Sequence, residues 1–373
     1  MDTNGKRAFV ICGMVGHRGG GCLAPLLLCQ ELAQLGLRVT CFTLLAEFVD
    51  GDVPREFKIV LPLLNKGHCW DWPSRCLAWQ AQRRIALERP DYVFVTGITT
   101  LARYLLQSNV ANQILAWEFT NANPGNRFVD AAATRLLDRA RAVLSPSAAI
   151  DQGIRQTYGH QGRILRLPFW VEDQGVEYAP APARFGADFI FLGRRDEEKG
   201  LEELVYATAE VSKRFPSVRV LIAGPGSEEP YASLAHTLGV ASNISFKFFK
   251  TRQETLNAMA QSRCLVLPSY HEGYPLVLLE AAQFSVPFIA TTVGSVPGLY
   301  GESKAALLVP PRNVRELTAA MRAMLEESED AYAIRRKAAH AIFSKLSSSV
   351  GVRETLKNVL CEALQPAQPD FRS

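Results

Sequence analysis

Short apolar runs, often β-branched, alternate with stretches of helical apolar spacing along almost the whole chain, and the alternation occurs twice. In the first half, Ala8–Cys12, Arg38–Phe42, Tyr92–Thr96, Ile114–Trp117 and Ala142–Ser145 read as strands. Helical spacing lies between them at Leu23–Leu35, Ser74–Glu88 and Ala131–Ala140. Residues 168–187, rich in Pro, Gly, Ala and single charges, break the pattern and read as a linker. Strands then recur at Phe189–Leu192, Val218–Ala223, Ile244–Phe248, Cys264–Leu267, Phe288–Ala290 and Ala306–Val309. Helices at Leu201–Arg214, Tyr231–Leu238, Arg252–Gln261, Leu276–Phe284 and Val314–Glu327 separate them. Such runs bury both faces of a strand, which requires a parallel sheet with helices on each side. The expectation is an α/β chain of two doubly wound domains facing each other across a cleft, at 1–168 and 188–344, with a linker at 169–187. Residues 331–364 read as helical, and the terminal helix, about 345–373, is expected to pack back on the first domain. At 373 residues the chain is long enough for two full cores.

The net charge of +4 is unevenly spread, with 19 Lys and Arg against 13 Asp and Glu over residues 1–168. A basic first half suits an anionic partner such as a phosphorylated lipid or a membrane surface, and an ordinarily solvated surface explains it equally. No basic run with interleaved aromatics suggests nucleic-acid binding. The eight cysteines form neither a C-x-x-C pair nor a metal-spaced set with histidine, so buried thiols in a reducing compartment are expected. No stretch is long enough to span a bilayer. The expected location is the cytoplasm, with peripheral association at the inner face of a membrane compatible with the charge. The histidines at 160, 236 and 340 read as surface residues, and His68 sits in a tryptophan-containing segment, 68–79.

The stretch His271-Glu-Gly-Tyr-Pro-Leu-Val-Leu-Leu-Glu280 follows an apolar strand and enters a buried helix, with a carboxylate on each side of the entry. A helix N-terminus suits a phosphate, whereas carboxylates suit sugar or ribose hydroxyls. The combination points to a ligand carrying both, such as a nucleotide-sugar. After the first strand of the second half comes Gly193-Arg194-Arg195-Asp196-Glu197-Glu198-Lys199-Gly200. Its cations suit a diphosphate, while Arg195, Asp196, Glu197 and Glu198 read as a solvated turn. Clustered glycines after the first strand of the chain, from Gly13 through Gly16 and His17 to Gly19, Gly20 and Gly21, let backbone amides approach an anion. A tight turn explains them as well, since their spacing is not G-x-G-x-x-G. Gly224, in Ala-Gly-Pro-Gly, and the Phe246–Lys250 segment end two further strands. No residue set reads as a metal site.

With these residues assembled, the chain resembles the retaining glycosyltransferases of family 4, which have the GT-B fold of two Rossmann-like domains. Gly193-Arg194 with Lys199-Gly200, Pro268-Ser269, Glu272-Gly273-Tyr274-Pro275-Leu276 and Glu280-Ala281 carry the match. Val286-Pro287 and Gly294-Ser295-Val296-Pro297 follow in order. The resemblance covers most of 189–320 and is looser over 1–168. It implies that Arg194 and Lys199 bind the donor diphosphate and that Glu272, with backbone at Gly273, Tyr274 and Leu276, binds the transferred sugar. Glu280 would bind the nucleotide ribose. Gly16, Gly20, Gly193 and Gly224 would line the donor, and Lys250 would touch the base. Arg194, Lys199 and Glu272 would be the catalytic set, with His17 and Glu118 on the acceptor side, no cofactor and no metal. Where the family often carries a histidine, this chain has Glu118. Phe248 stands at a common glycine, Gly298 at a frequent glutamate, and Pro275 lacks an N–H. The implied partners are a nucleotide-sugar and a glycan or lipid-linked acceptor, in polysaccharide, lipopolysaccharide or other glycoconjugate synthesis. A catalytically silent homologue serving as a binding subunit, or a nucleotide-sugar hydrolase or epimerase, are the alternatives.

Overall fold

The computed structural model describes the whole chain except residues 1–2, 17–19, 48–54, 62–70, 97–103, 106–110, 120–130, 179–180, 183, 348 and 365–373. The chain divides into two compact units, Met1–Trp170 with Ser349–Ser373, and Val171–Ser348.

The first unit runs β1 (Arg7–Gly16), α1 (Gly20–Gln34), β2 (Arg38–Glu47), β3 (Lys58–Val60), α2 (Asp71–Glu88), β4 (Tyr92–Thr96), β5 (Ile114–Trp117), α3 (Ala131–Arg139), β6 (Ala142–Ser145), α4 (Ala148–Tyr158) and β7 (Ile164–Arg166). Its described strands form one parallel sheet in the order β3-β2-β1-β4-β5-β6-β7. Phe9, Ile11, Phe42, Val93, Val95, Leu136 and Leu137 fill one side of this sheet's core, with Phe9 and Phe42 ring centroids 5.2 Å apart. The carboxy-terminal helix Ser349–Leu364 belongs to this unit. Arg353 reaches Glu31 at 2.9 Å, and Arg163 reaches Glu362 at 2.9 Å.

The second unit runs β8 (Ala187–Leu192), α5 (Leu201–Ser212), β9 (Val220–Ala223), α6 (Tyr231–Thr237), β10 (Ile244–Lys247), α7 (Arg252–Ala260), β11 (Ser262–Leu267), α8 (Leu276–Gln283), β12 (Phe288–Thr291), α9 (Val296–Tyr300), β13 (Ala306–Val309), α10 (Val314–Glu326) and α11 (Glu329–Leu346). Its strands are parallel, in the order β10-β9-β8-β11-β12-β13. Both sheets are therefore doubly wound, and each has one point where the strand order reverses: β1 beside β4, and β8 beside β11. Loops at the carboxyl ends of such a strand pair diverge and leave a crevice, the usual ligand position in sheets of this class.

The structure adds elements that the sequence pattern does not announce. Strands β3 and β7 are three residues each, too short to show a period. Helix α4 carries Gly153 and several polar residues, and its start is fixed by the Ser147 side chain, which accepts from the Ile150 N–H. Helix α9 begins Val296-Pro297-Gly298, residues that read as breakers, but proline is tolerated in a first helical turn. The expected helix over 331–364 is broken. Helix α11 stops at Leu346, where the Ser347 hydroxyl accepts from the Val171 N–H at 2.9 Å and donates to the Val171 carbonyl at 3.2 Å. His160 is also not a surface residue. It is 3% exposed, with Nδ1 3.3 Å from Asp138.

Cys12, Cys22, Cys29, Cys41 and Cys264 are buried thiols, Cys76 and Cys361 are half-buried, and Cys69 lies outside the described residues. His68 and Trp70 lie outside them too. Phe169 and Trp170, at the start of the Pro- and Gly-rich segment, are buried against Trp117, with ring centroids 4.8 and 6.0 Å from it. Truncating so large a buried ring leaves a cavity and loses its transfer energy. Trp170→Ala is therefore expected to destabilise the first unit by about 3 kcal/mol, read as a lowered urea midpoint. A midpoint unchanged from wild type would show that this segment is not part of the core.

Candidate functional site

The crevice of the second unit is bounded by the loop after β8, residues 193–200, and the loop after β11, residues 268–275. The sequence-predicted Arg194, Lys199 and Glu272 all lie on these two loops. The loops are joined through backbone, since the Tyr270 N–H donates to the Glu198 carbonyl at 2.7 Å. They also approach at Gly200, whose φ is +64° and where an added Cβ would lie 2.1 Å from the Pro268 carbonyl oxygen. A side chain there is excluded twice, by dihedral strain and by contact. On the other flank, Gly294 (φ +54°) packs against the Glu272 backbone, where a Cβ would meet the carbonyl oxygen at 1.8 Å. The Gly273 carbonyl accepts from the Ser295 N–H at 3.1 Å.

This frame sets the side chains. Lys199 Nζ donates to Glu272 Oε1 at 2.7 Å, and the Ser269 hydroxyl donates to the same oxygen at 2.7 Å. Both partners of the ion pair are mostly buried, with side chains 18% and 13% exposed. Arg194 differs, because its side chain is 70% exposed and 3.1 Å from Asp196. One cation is thus bound into the wall, and the other stands at the mouth.

Arg195 does not behave as a solvated turn residue. Its side chain is only 5% exposed. Nε and Nη2 donate to the Gly226 carbonyl at 3.1 and 2.8 Å, and Nη1 donates to the Lys247 carbonyl at 3.2 Å. One guanidinium fork therefore ties together the loops after β8 and β9 and the end of β10, using several of its five donors. Gly193 and Gly224 belong to the same tie: the Gly193 N–H donates to the Ala223 carbonyl and the Gly224 N–H to the Lys247 carbonyl.

Glu280 lies in α8 and is 9% exposed. Its Oε1 is 2.8 Å from Arg252, the first residue of α7, whose side chain is 18% exposed. Lys250 is exposed, and its backbone N–H bonds Glu254 in the capping box of α7. Phe248, beyond the end of β10, is 52% exposed. Tyr274 and Leu276 are buried at the entry to α8. Behind the site, the Tyr270 hydroxyl donates to Glu203 and the Arg312 guanidinium lies 3.7 Å from the Tyr270 ring centroid. Burial, and then the Glu203 carboxylate, push the Tyr270 hydroxyl well above its ordinary range, so it stays a donor. No local spacing marks Arg252, Glu203, Tyr270 or Arg312, since each acts on a residue far away in sequence. His271, beside Glu272, is exposed.

In the first unit, Gly16 ends β1 and Gly20 starts α1, while His17 lies outside the described residues. Glu118 follows β5 and is 1% exposed, with its N–H donating to the Leu144 carbonyl. Among the described residues, no group of three or more His, Cys, Asp or Glu side chains is placed to hold a metal ion.

Residues 186–341, within the second unit, match the family model described as glycosyl transferases group 1. Over 210 residues the chain is 27% identical to the alpha-D-kanosaminyltransferase of Streptomyces kanamyceticus, an alignment covering 53% of this chain and 52% of that protein. The chain spans about half the length of the curated relatives it matches. A sucrose-phosphate synthase from Thermosynechococcus elongatus superposes with TM-score 0.79 at 18% identity, covering 96% of this chain and 98% of the other. The Anabaena protein HepE, solved in complex with UDP and glucose, gives TM-score 0.74 at 17% identity, covering 96% and 100%. At these identities the likeness speaks to the fold, the pair of Rossmann-like units of the GT-B glycosyltransferases.

If Lys199 and Glu272 depend on each other, removing one leaves a partly buried charge without its partner. Lys199→Met and Glu272→Gln are each expected to cost about 1–3 kcal/mol, and the double variant about 1–2 kcal/mol less than their sum. Strictly additive losses in denaturant titrations would contradict the coupling.

Proposed function

We propose that the protein is a retaining glycosyltransferase of family 4. It moves a sugar from a nucleoside-diphosphate-sugar to an acceptor hydroxyl in the synthesis of a polysaccharide, lipopolysaccharide or other glycoconjugate. The observation that carries the reading is the convergence of Arg194, Lys199 and Glu272 at the strand-order reversal of a unit that matches the group 1 model. The complex of the Anabaena neighbour with UDP and glucose supports the donor class.

Breaking the anomeric C–O bond places negative charge on the departing diphosphate and positive charge on the sugar. Arg194, exposed at the mouth, and Lys199 supply fixed positive charge to the diphosphate, which is preorganised electrostatic stabilisation. Lys199 has three N–H donors, so it can keep Glu272 while meeting a phosphate oxygen. Glu272, held through one oxygen by Lys199 and Ser269, retains acceptor capacity for sugar hydroxyls. In a retaining transfer the acceptor enters on the face from which the diphosphate leaves. A departing phosphate oxygen then takes the acceptor proton as the new C–O bond forms, so the step balances without a protein base. Gly16, Gly20, Gly193, Gly224, Lys250, Gly273, Tyr274 and Leu276 complete the proposed donor set, and His17 and Glu118 are the proposed acceptor residues.

The first unit also offers a surface for a lipid-linked acceptor. On α2, Arg75, Trp79, Arg83 and Leu87 recur every four residues and all are exposed, Trp79 by 55% and Leu87 by 73%. Arg83 lies 5.5 Å from the Trp79 ring centroid. A cationic, aromatic stripe of this kind suits the interface of an anionic bilayer. No described helix is long and apolar enough to cross a membrane, and the proposed location is the inner, cytoplasmic face.

Arg194→Ala and Lys199→Ala are each expected to lower kcat/KM for nucleotide-sugar turnover by about 10²–10³-fold. The anomeric configuration of the product, read by NMR, should match that of the donor. Turnover near wild type in both variants, or an inverted product, would refute the assignment. Co-sedimentation with phosphatidylglycerol vesicles should exceed that with phosphatidylcholine and fall about tenfold in Trp79→Ala/Arg83→Ala; equal binding to both lipids would remove the membrane part of the reading.

A further inference from the structure

We infer that Arg252 is a positioning residue of the proposed nucleotide site: it orients the Glu280 carboxylate and thereby sets the preference for a ribonucleotide over a nucleotide lacking ribose hydroxyls. The inference rests on the donor-site reading above and extends it to a residue outside the motifs.

Glu280 sits inside α8 on a largely buried face, with its side chain 12% exposed. A carboxylate there is costly unless it is paired and hydrogen-bonded. Arg252 provides the pairing at 2.8 Å. Its own backbone is fixed, because it is the first residue of α7. The Thr251 side chain accepts from Glu254 N–H and the Glu254 side chain accepts from the Thr251 N–H. The side chain therefore leaves a rigid helix start and meets a carboxylate projecting from a second helix. Contact through Oε1 leaves the carboxylate further lone pairs, and a vicinal diol is the ligand group that uses two acceptor positions at a set spacing.

The guanidinium is not saturated by protein. Its Nε is buried and has no hydrogen-bond partner among the described residues. A structural ion pair between two helices would gain most from a fork-on-fork arrangement with both donors used. Here the 2.8 Å ion pair leaves the Arg252 Nε without a partner, so the guanidinium keeps donor capacity, which suits a pair completed by a ligand. Lysine could supply the charge but not the planar donor geometry that sets the orientation of the carboxylate.

The test uses the full chain and calorimetric titration with uridine, guanosine and adenosine diphosphates. The 2′,3′-dideoxy analogue of whichever nucleotide binds is titrated next. Wild type is expected to favour the ribonucleotide by about tenfold or more, the worth of hydrogen bonds to a charged acceptor. In Arg252→Gln that ratio should fall to within about threefold, with affinity for the dideoxy analogue unchanged within about twofold. Glu280→Gln should flatten the ratio similarly, and Arg252→Lys, which covers the case in which Arg252→Gln does not fold, should give an intermediate value. A wild-type ratio in Arg252→Gln or Arg252→Lys, or an equal loss for both ligands, overturns the inference while leaving the donor site standing. A wild type that binds none of the three diphosphates overturns both.

Discussion

The site of the second unit depends on backbone approaching backbone where no side chain fits. Gly200 lies against the Pro268 carbonyl and Gly294 against that of Glu272, each at a positive φ. The first approach locks the loop after β8 onto the loop after β11, and the second closes the far side of that loop. Lys199 is the residue immediately before the first contact, and Glu272 lies within the segment clamped by the second. Their 2.7 Å pairing is therefore a consequence of loop geometry as much as of charge attraction. Side chains on rigid, mutually supporting loops need little reorganisation when charge develops on a ligand, and that is the condition under which fixed dipoles and ions are most effective.

The same geometry explains how two carboxylates remain useful in a largely buried wall. Glu272 is held by Lys199 and Ser269, and Glu280 by Arg252. Burying a carboxylate in either position without a partner would be costly. Pairing through one oxygen keeps the charge and leaves the rest of the group to accept. The cation at the mouth, Arg194, is not committed in this way and retains most of its solvent contact.

The parallel-sheet architecture was legible because long buried strands leave a strong signal. Tyr92–Thr96, Ile114–Trp117 and Ala142–Ser145 have the bounds read from their apolar runs alone. The three-residue strands β3 and β7 carry no such signal, and α9 hides behind Pro297 and Gly298. Alternation also places loops at strand ends, so the neighbourhood of Arg194, Lys199 and Glu272 followed from pattern and motif together. Arg195 was misread, because a run of charges in a turn is usually solvated and the two carbonyls it binds, those of Gly226 and Lys247, are invisible locally. The break after Leu346 was missed for a similar reason. The hydroxyl that ends that helix bonds to Val171, far back along the chain.

Arg195 has a wider consequence. By tying the loops after β8 and β9 and the end of β10 into one piece, it separates where this edge of the sheet stands from what the edge presents. Phe248, half exposed, and Lys250, exposed, project from a segment whose backbone is already anchored. Exchanges at those two positions alter the exposed surface without moving the frame beneath it. The second unit thus combines an anchored frame with an exposed edge whose side chains can change at little cost to folding.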